Sequence, residues 1–545
     1  VNTAELLVRC LENEGVRYIF GLPGEENMEV LEALTHSSIQ FITTRHEQGA
    51  AFMADVYGRL TGQAGVCLST LGPGATNLMT GVADANLDGA PLVAITGQVG
   101  TDRMHNESHQ YLDLVAMFAP VTKWNVQIVR PSITPEIVRK AFKIAQTEKP
   151  GAVHIDLPEN IAEMSVEGIP LSKGDLEKIY ASFHSIDRAA ALIVQAKNPL
   201  ILAGNGVIRD RASEALTTFA TQLNIPVANT FMGKGAIPYT HPLALWAVGL
   251  QQRDFISCGF DRADLVIAIG YDLIEYSPKK WNPEGQIPLI HISATHADVD
   301  SSYIPKAEVV GDISDSLQEI QKRVGRRDSP PDFTDTLRED IRADYFQYAQ
   351  DDGYPLKPQK IIYDLRQVMA EEDIVISDVG AHKMWIARHY HCDRPNTCLI
   401  SNGFAAMGIA IPGAIAAKLV YPERHIVAVT GDGGFMMNCQ ELETAARLGT
   451  PFVTLIFNDG GYGLIEWKQQ NHYWHSTFVK FGNPDFVKFA ESMGLKGYRI
   501  ESVEDFIPTL KTALAQPVPT VIDCPVDYRE NLRFTQKAGD LQCSI

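Results

Sequence analysis

The sequence has no apolar run approaching the roughly 20 residues of a membrane-spanning helix; its apolar stretches are short and interrupted. Its start, VNTAELLVRCLENEG, has no basic segment leading into an apolar stretch and a cleavage site, so no secretory signal is expected there. Cysteine is sparse. Eight residues (10, 67, 258, 392, 398, 439, 524 and 543) form no CxxC pair and no dense framework, which favours reduced thiols and a cytoplasmic setting. Positive charge is in deficit, with 47 Lys and Arg against 66 Asp and Glu, and the net charge of -19 disfavours nucleic acid or an anionic membrane as a partner of the whole surface. GxxxxGK[ST] is missing, which leaves a P-loop nucleotide site unsupported. No short-period repeat is found.

What is present is a globular composition, 45% hydrophobic and 21% charged, in a chain of 545 residues, enough for about three domains. Residues 1 to about 170 alternate apolar runs such as IQFITT (39–44), AGVCLST (64–70) and PLVAITG (91–97) with helical stretches. Such alternation predicts a parallel sheet covered on both faces. The pattern restarts with NPLILAGNG (198–206), ADLVIAIG (263–270) and PLIHIS (288–293). A charged, proline-bearing stretch near 326–358 reads as a linker enclosing a helix. A third unit follows, with DIVISD (373–378), HIVAVTG (425–431), PFVTLIF (451–457) and PTVIDCPV (519–526). The first and third units share a pattern of strands that end in glycine-rich turns.

The informative stretch is GDGGFMMNCQELETAARLGTPFVTLIFNDGG, residues 431–461. HIVAVT reads as a doubly buried strand, Asn438 with Glu441 as a helix cap, ELETAARLG as a helix ending at Gly449, and PFVTLIF as the next strand. In a βαβ unit the two strands run parallel, so Asp432 and Asp459 arrive at the same edge of the sheet. Two converging carboxylates repel. A hard divalent cation relieves that repulsion, and Mg²⁺ with few protein donors binds phosphate oxygens well. Gly431, Gly433 and Gly434 let those oxygens approach the backbone. Either fragment alone reads more readily as a tight turn or a strand-end cap; the pair at this spacing points to a metal-bridged phosphorylated ligand.

This stretch resembles the signature of thiamine diphosphate enzymes, in which two side chains and a later carbonyl hold Mg²⁺ on the diphosphate. The resemblance implies Asp432, Asp459 and the carbonyl of Gly461 as metal ligands, with Asp at the second position where Asn is commoner. TTRHEQGAAFMADVYGRLTG (43–62) is similar to the segment that supplies an activating glutamate, which implies that Glu47 bonds the aminopyrimidine ring and promotes deprotonation of the thiazolium carbon. SNGFAAMGIAIPGAIAAKL (401–419) resembles the stretch whose bulky residue, here Met407, holds the cofactor bent, with Ala405 beside it. Val379, Gly380 and His382 in DVGAHKMW are implied diphosphate contacts, as are Tyr462, Gly463 and Leu464 after the metal motif. The resemblance covers essentially the entire chain. It implies an α/β protein of three doubly wound parallel-sheet domains: pyrimidine-binding (1–170), central (185–325) and diphosphate- and Mg²⁺-binding (355–530). A homodimer is its implied minimum assembly and a homotetramer the expected one.

Among these enzymes the sequence most resembles the acetolactate synthases, and particularly their catabolic, flavin-independent branch. HQYLDLVAMFAPVTKWNV (109–126) is similar to a loop bordering the substrate, which implies His109 and Gln110; Gly21, in FGLPGEEN, is implied on a turn near the reacting carbon. ADLVIAIGYDLIEYSPKKWN (263–282) and the tail VDYRENLRF (526–534) also fit that branch. The implied reaction decarboxylates one pyruvate and joins the remaining two-carbon fragment to a second, giving 2-acetolactate and CO₂ from small 2-oxoacid substrates alone. Lys468 departs from the pattern, standing where Gln or Trp is usual near the acceptor pocket. AGNGVIRDRA (203–212) carries a GxG after a strand but lacks the third glycine of the dinucleotide fingerprint, so no catalytic FAD is expected. Another thiamine diphosphate-dependent 2-oxoacid decarboxylase or oxidase, or a non-catalytic binding protein of the same fold, remains the alternative at this point.

Overall fold

The computed structural model describes residues 1–174, 177–249 and 255–532. Three six-stranded sheets, each with all its strands parallel, form in chain order. The first runs Gln40–Thr43, Tyr18–Gly21, Gly65–Ser69, Leu92–Gln98, Ala152–Pro158, Trp124–Gln127 across the sheet, an order of 2-1-3-4-6-5 in domain numbering. The third repeats that order: Cys398–Ile400, Ile374–Ser377, Ile426–Gly431, Val453–Asn458, Thr520–Pro525, Lys496–Arg499. The pattern shared by the first and third units in the sequence is therefore a shared topology.

The middle sheet differs. Its strands Ala244–Ala247, Val227–Asn229, Pro199–Ala203, Leu265–Ile269, Leu289–Ser293 and Ala307–Val310 follow the order 3-2-1-4-5-6. The physical reason for parallel sheets is visible in burial. Every residue of Leu265–Ile269 is buried, as a strand covered by helices on both faces requires, whereas the edge strand Lys496–Arg499 has no fully buried residue.

The helix expected inside the charged linker forms as Phe333–Phe346. Among the described residues no helix is long and apolar enough to cross a membrane. Cys10, Cys67, Cys392, Cys398, Cys439 and Cys524 carry free thiols, whereas Cys258 is disulfide-bonded, against the expectation of reduced thiols. Cys543 and the last two residues of the tail 526–534 lie outside the described residues.

In an open sheet of order 2-1-3-4, the first and third strands send their connections to opposite faces, and the crevice beyond their carboxyl ends is where ligands bind. In the third sheet, Ile374–Ser377 and Ile426–Gly431 are these two strands.

Candidate active site at the edge of the third sheet

A cavity of about 150 Å³ opens at that crevice. It is lined by Val379, Gly380 and His382 after one strand, Gly431 to Gly434 after the next, Asp459, Gly461, Tyr462, Gly463 and Leu464 after the third, and Ala405 and Met407 from the loop before helix Ala410–Val420. All the cofactor and metal candidates of the third domain thus meet at one place.

The register pairs Gly431 with Phe457, so residues 432 and 459 leave the sheet at neighbouring strand ends. Asp432 is fully buried; its Oδ1 accepts the N–H of Gly433 at 2.9 Å and its Oδ2 the N–H of Gly460 at 2.7 Å. Burial, and then the negative charge of Asp432, push the Asp459 carboxyl up to about 8. Burial also raises Asp432 itself. Two carboxylates held this closely by the backbone need a cation or a shared proton. Among the described residues no group of three or more His, Cys, Asp or Glu side chains is poised to hold a metal; the candidate set here is two carboxylates and a carbonyl.

The glycines have a steric reason. A Cβ on Gly463 would lie 2.6 Å from Asp459 Oδ2, and one on Gly433 would lie 2.8 Å from the Tyr462 ring. Two buried polar atoms in the cavity wall, His382 Nε2 and Tyr528 Oη, have no hydrogen-bond partner. Burial draws the His382 imidazole down to about 3. Ala405 has φ +57°, a left-handed backbone for a non-glycine residue, in the same wall.

Other candidates stand apart from this cavity. Glu47 opens helix Glu47–Thr61, is 8% exposed, and its Oε2 accepts from Asn77 Nδ2 at 2.9 Å. His109 and Gln110 sit on an exposed loop, where Gln110 has φ +57° and packs beside Gly72. Gly21 was expected on a turn; it is the buried last residue of strand Tyr18–Gly21, where a Cβ would lie 2.1 Å from the Leu68 carbonyl oxygen. Glu47 and Gln110 cluster around the crevice of the first sheet, beside residues 70–77, and none of Glu47, His109, Gln110 or Gly21 lines the third-domain cavity. Lys468 is exposed on helix Gly463–Tyr473, one turn past Leu464 and outside the cavity wall.

The capping expectation fails. A helix starts directly at Asp432 and runs to Asn438, whose Nδ2 donates to Gly408 O and Gln48 Oε1 at 2.9 Å, while Glu441 opens the next helix without a side-chain cap from Gln440. Tertiary partners claimed both side chains.

Several residues escaped the sequence reading. Asp378 accepts the N–H of Val379 at 2.7 Å, of Gly408 at 2.9 Å and of Ala410 at 3.2 Å, so it ties the two walls together. Asn483 Nδ2 donates to Asp432 Oδ2 at 2.7 Å, and Lys480 Nζ approaches the Asp459 carbonyl at 3.5 Å while pairing with Glu466. Tyr528 stood inside the quoted tail and Asp378 just ahead of Val379, so position alone offered a signal for these two; Asn483 offered none.

The sequence matches three family descriptions in chain order. They are the thiamine pyrophosphate enzyme N-terminal TPP binding domain over residues 1–117, the central domain over 186–320, and the C-terminal TPP binding domain over 378–524. It is 38% identical to a probable acetolactate synthase large subunit of Methanocaldococcus jannaschii, across 99% of this chain and 94% of that one. It is 36% identical to the acetolactate synthase of Bacillus subtilis, across 97% and 94%. It is 37% identical to the catabolic acetolactate synthase of Raoultella terrigena, across 97% and 95%.

Proposed function

The chain belongs to the acetolactate synthases among the thiamine pyrophosphate enzymes, and from that premise we propose that it condenses two pyruvates to 2-acetolactate and CO₂ with thiamine diphosphate and Mg²⁺. The observation that carries this reading is the convergence of Asp432 and Asp459 in a glycine-lined cavity with unpartnered buried polar atoms. When bound, thiamine diphosphate would supply a nucleophilic carbon and a cationic thiazolium ring that takes up the electrons left by departing CO₂.

The residues present fit that group. Asp432, Asp459 and the Gly461 carbonyl would hold Mg²⁺, and the cation would offset the burial and the neighbouring charge of Asp432 that together raise Asp459. The Tyr528 hydroxyl, buried without a partner, would donate to an anionic oxygen of the bound group, and His382 presents Nε2 to the same cavity. Gly431, Gly433 and Gly434 admit the phosphates to the backbone, with Val379, Gly380, Tyr462, Gly463 and Leu464 completing the walls. Ala405 and Met407 also line the cavity, and the side chain of Met407 would support the cofactor there.

Glu47 belongs to the crevice of the first domain, which has the same strand order, and its carboxyl would hydrogen-bond the aminopyrimidine ring. Because Glu47, His109, Gln110 and Gly21 do not line the cavity of their own chain, we assign them to the cofactor of a second copy. A homodimer is then the smallest complete enzyme, and a homotetramer the assembly we propose. His109 and Gln110 border the 2-oxoacid substrate, and Lys468 the approach of the acceptor. We propose no catalytic FAD. In support, the N–H of Asn205, where a dinucleotide phosphate would dock on the middle sheet, is taken by the Glu275 carboxylate at 3.0 and 3.1 Å.

Product analysis with pyruvate, thiamine diphosphate and Mg²⁺ tests the assignment. 2-Acetolactate with CO₂ is the expected result. Acetaldehyde or acetate as the main product would replace it with a decarboxylase or an oxidase, and no turnover with a binding protein.

A further inference from the structure

The correspondence between the first and third domains extends from the strands to the loops. In each, the second strand leads into a helix, Glu47–Thr61 in one and Ala410–Val420 in the other, and these two helices pack against each other within the chain. In each, the crossover between the third and fourth strands carries carboxylates that reach the loop ahead of the other domain's helix.

From the third domain comes Glu441, with no exposed surface, at the start of helix Glu441–Leu448. Its two oxygens accept the N–H of Arg45 at 3.1 and 3.2 Å, and Oε1 also accepts that of His46 at 3.0 Å. Thr444 Oγ1 donates to Oε2 at 2.6 Å and fixes the carboxylate. From the first domain come Asp84 and Asp88, both buried on helix Pro73–Asp88. Asp84 accepts from Ser401 Oγ at 2.6 Å and from the N–H of Ala406 at 3.3 Å; Asp88 accepts the N–H of Asn402 at 3.1 Å and of Gly403 at 2.5 Å. Arg59 holds this pair in place, with Nη2 at 2.8 Å from Asp84 and 2.9 Å from Asp88. Buried carboxylates are costly unless paired, and each of these is paired with main-chain N–H groups of the opposite domain.

Both loops lead to the site. Residues 45 and 46 directly precede Glu47; residues 401–406 directly precede Met407. We propose that Glu441 and the Asp84–Asp88 pair are reciprocal positioning residues, the third domain fixing the turn that presents Glu47 and the first domain fixing the loop that presents Met407. This rests on the reading above in one respect: the Glu47 of a copy serves its partner's cofactor, while its Met407 serves its own. The latches of one chain then govern two different active sites.

Glu441→Gln and Asp88→Asn keep size and shape but turn an acceptor into an N–H donor facing another N–H. Each should lower kcat about 10²-fold, the scale of a roughly 1 Å misplacement, with KM, thiamine diphosphate affinity by tryptophan quenching, and dimer sedimentation unchanged. Two mixed dimers, purified through separate tags, give the decisive comparison. Wild type paired with a chain carrying both substitutions has both sites damaged and should be nearly inactive. A Glu441→Gln chain paired with an Asp88→Asn chain gathers both defects at one site and should keep half the wild-type rate. Equal rates in the two mixtures, or single variants that lose cofactor affinity or assembly in step with activity, would overturn the proposal. The near-ultraviolet circular dichroism of bound thiamine diphosphate gives the same comparison without substrate. A wild type that binds cofactor but makes no acetolactate therefore sinks the assigned reaction and leaves the latches still open to refutation.

Discussion

Asp432 and Asp459 cannot both stay ionised side by side without a cation, which is why burial and mutual charge drive Asp459 up to about 8. Asp432→Ala should therefore weaken binding of thiamine diphosphate with Mg²⁺ by more than the roughly 10- to 100-fold that loss of an outer-shell partner costs, as read by fluorescence titration. Glu47→Gln should do the opposite: near-normal cofactor affinity, with turnover cut by about 10²- to 10⁴-fold, the usual scale of acid–base catalysis. Unchanged turnover in that variant would refute the role given to Glu47. A buried histidine away from the site supplies a pH test. His154 is fully buried, lies 2.8 Å from Thr96 Oγ1 and stacks on Phe118 at 4.0 Å; burial draws its pKa from 6.5 down to about 3. Its folded pKa lies below its unfolded one, so its stabilising share is complete above pH 6.5 and is lost towards pH 3, at about 1.4 kcal/mol per pH unit. Asp156, raised by burial to about 6 and joined to His154 through Thr96, works in the opposite sense below that pH. Histidine NMR from about pH 8 to about pH 5 should show His154 neutral throughout while exposed histidines titrate.

Elements place these residues through backbone conformations that single side chains do not reveal. The loop 401–408 enters the cavity wall with Ala405 at φ +57° and leaves it through Gly408 at φ +95°, where a Cβ would lie 2.5 Å from Asn438 Nδ2. Gly408→Ala should cost about 1–2 kcal/mol in backbone strain alone, and more if Asn438 is displaced from Gly408 O. Urea unfolding of the cofactor-free protein measures the first cost. A matching loss of cofactor affinity would show that Met407 moves with the loop. The helix from Asp432 is the element least legible in the sequence. GDGG reads as a turn because glycine disfavours helices, yet Asp432 with its bonds to the N–H groups of 433 and 460 fixes a helix start directly at the strand end. The strands were legible for a simple reason: Leu265–Ile269 and Val453–Asn458 are apolar runs that only double burial accommodates.

Over the whole molecule, cofactor binding, assembly and stability are one equilibrium. If thiamine diphosphate and Mg²⁺ bind only the folded chain, saturation at about 100 times Kd adds about 2.7 kcal/mol. Thermal scans should then rise with added cofactor and fall when a chelator removes Mg²⁺; an unmoved melting temperature would contradict a metal-bridged cofactor. If the active site spans two copies, activity per chain should also drop on dilution below the dimer dissociation range, and analytical ultracentrifugation at the same concentrations checks it. The sequence by itself determined the three parallel-sheet domains, the convergence of Asp432 and Asp459 and the glycines between them, because buried strands need apolar runs and parallel strands end on one edge. Only the tertiary structure decided that Glu47 and Gln110 stand off from that cavity in their own chain, that Gly21 closes a strand, and that Asp84, Asp88, Asp378 and Glu441 brace the loops. A buried carboxylate's partners are main-chain N–H groups, which every residue carries, so no pattern of side chains announces them.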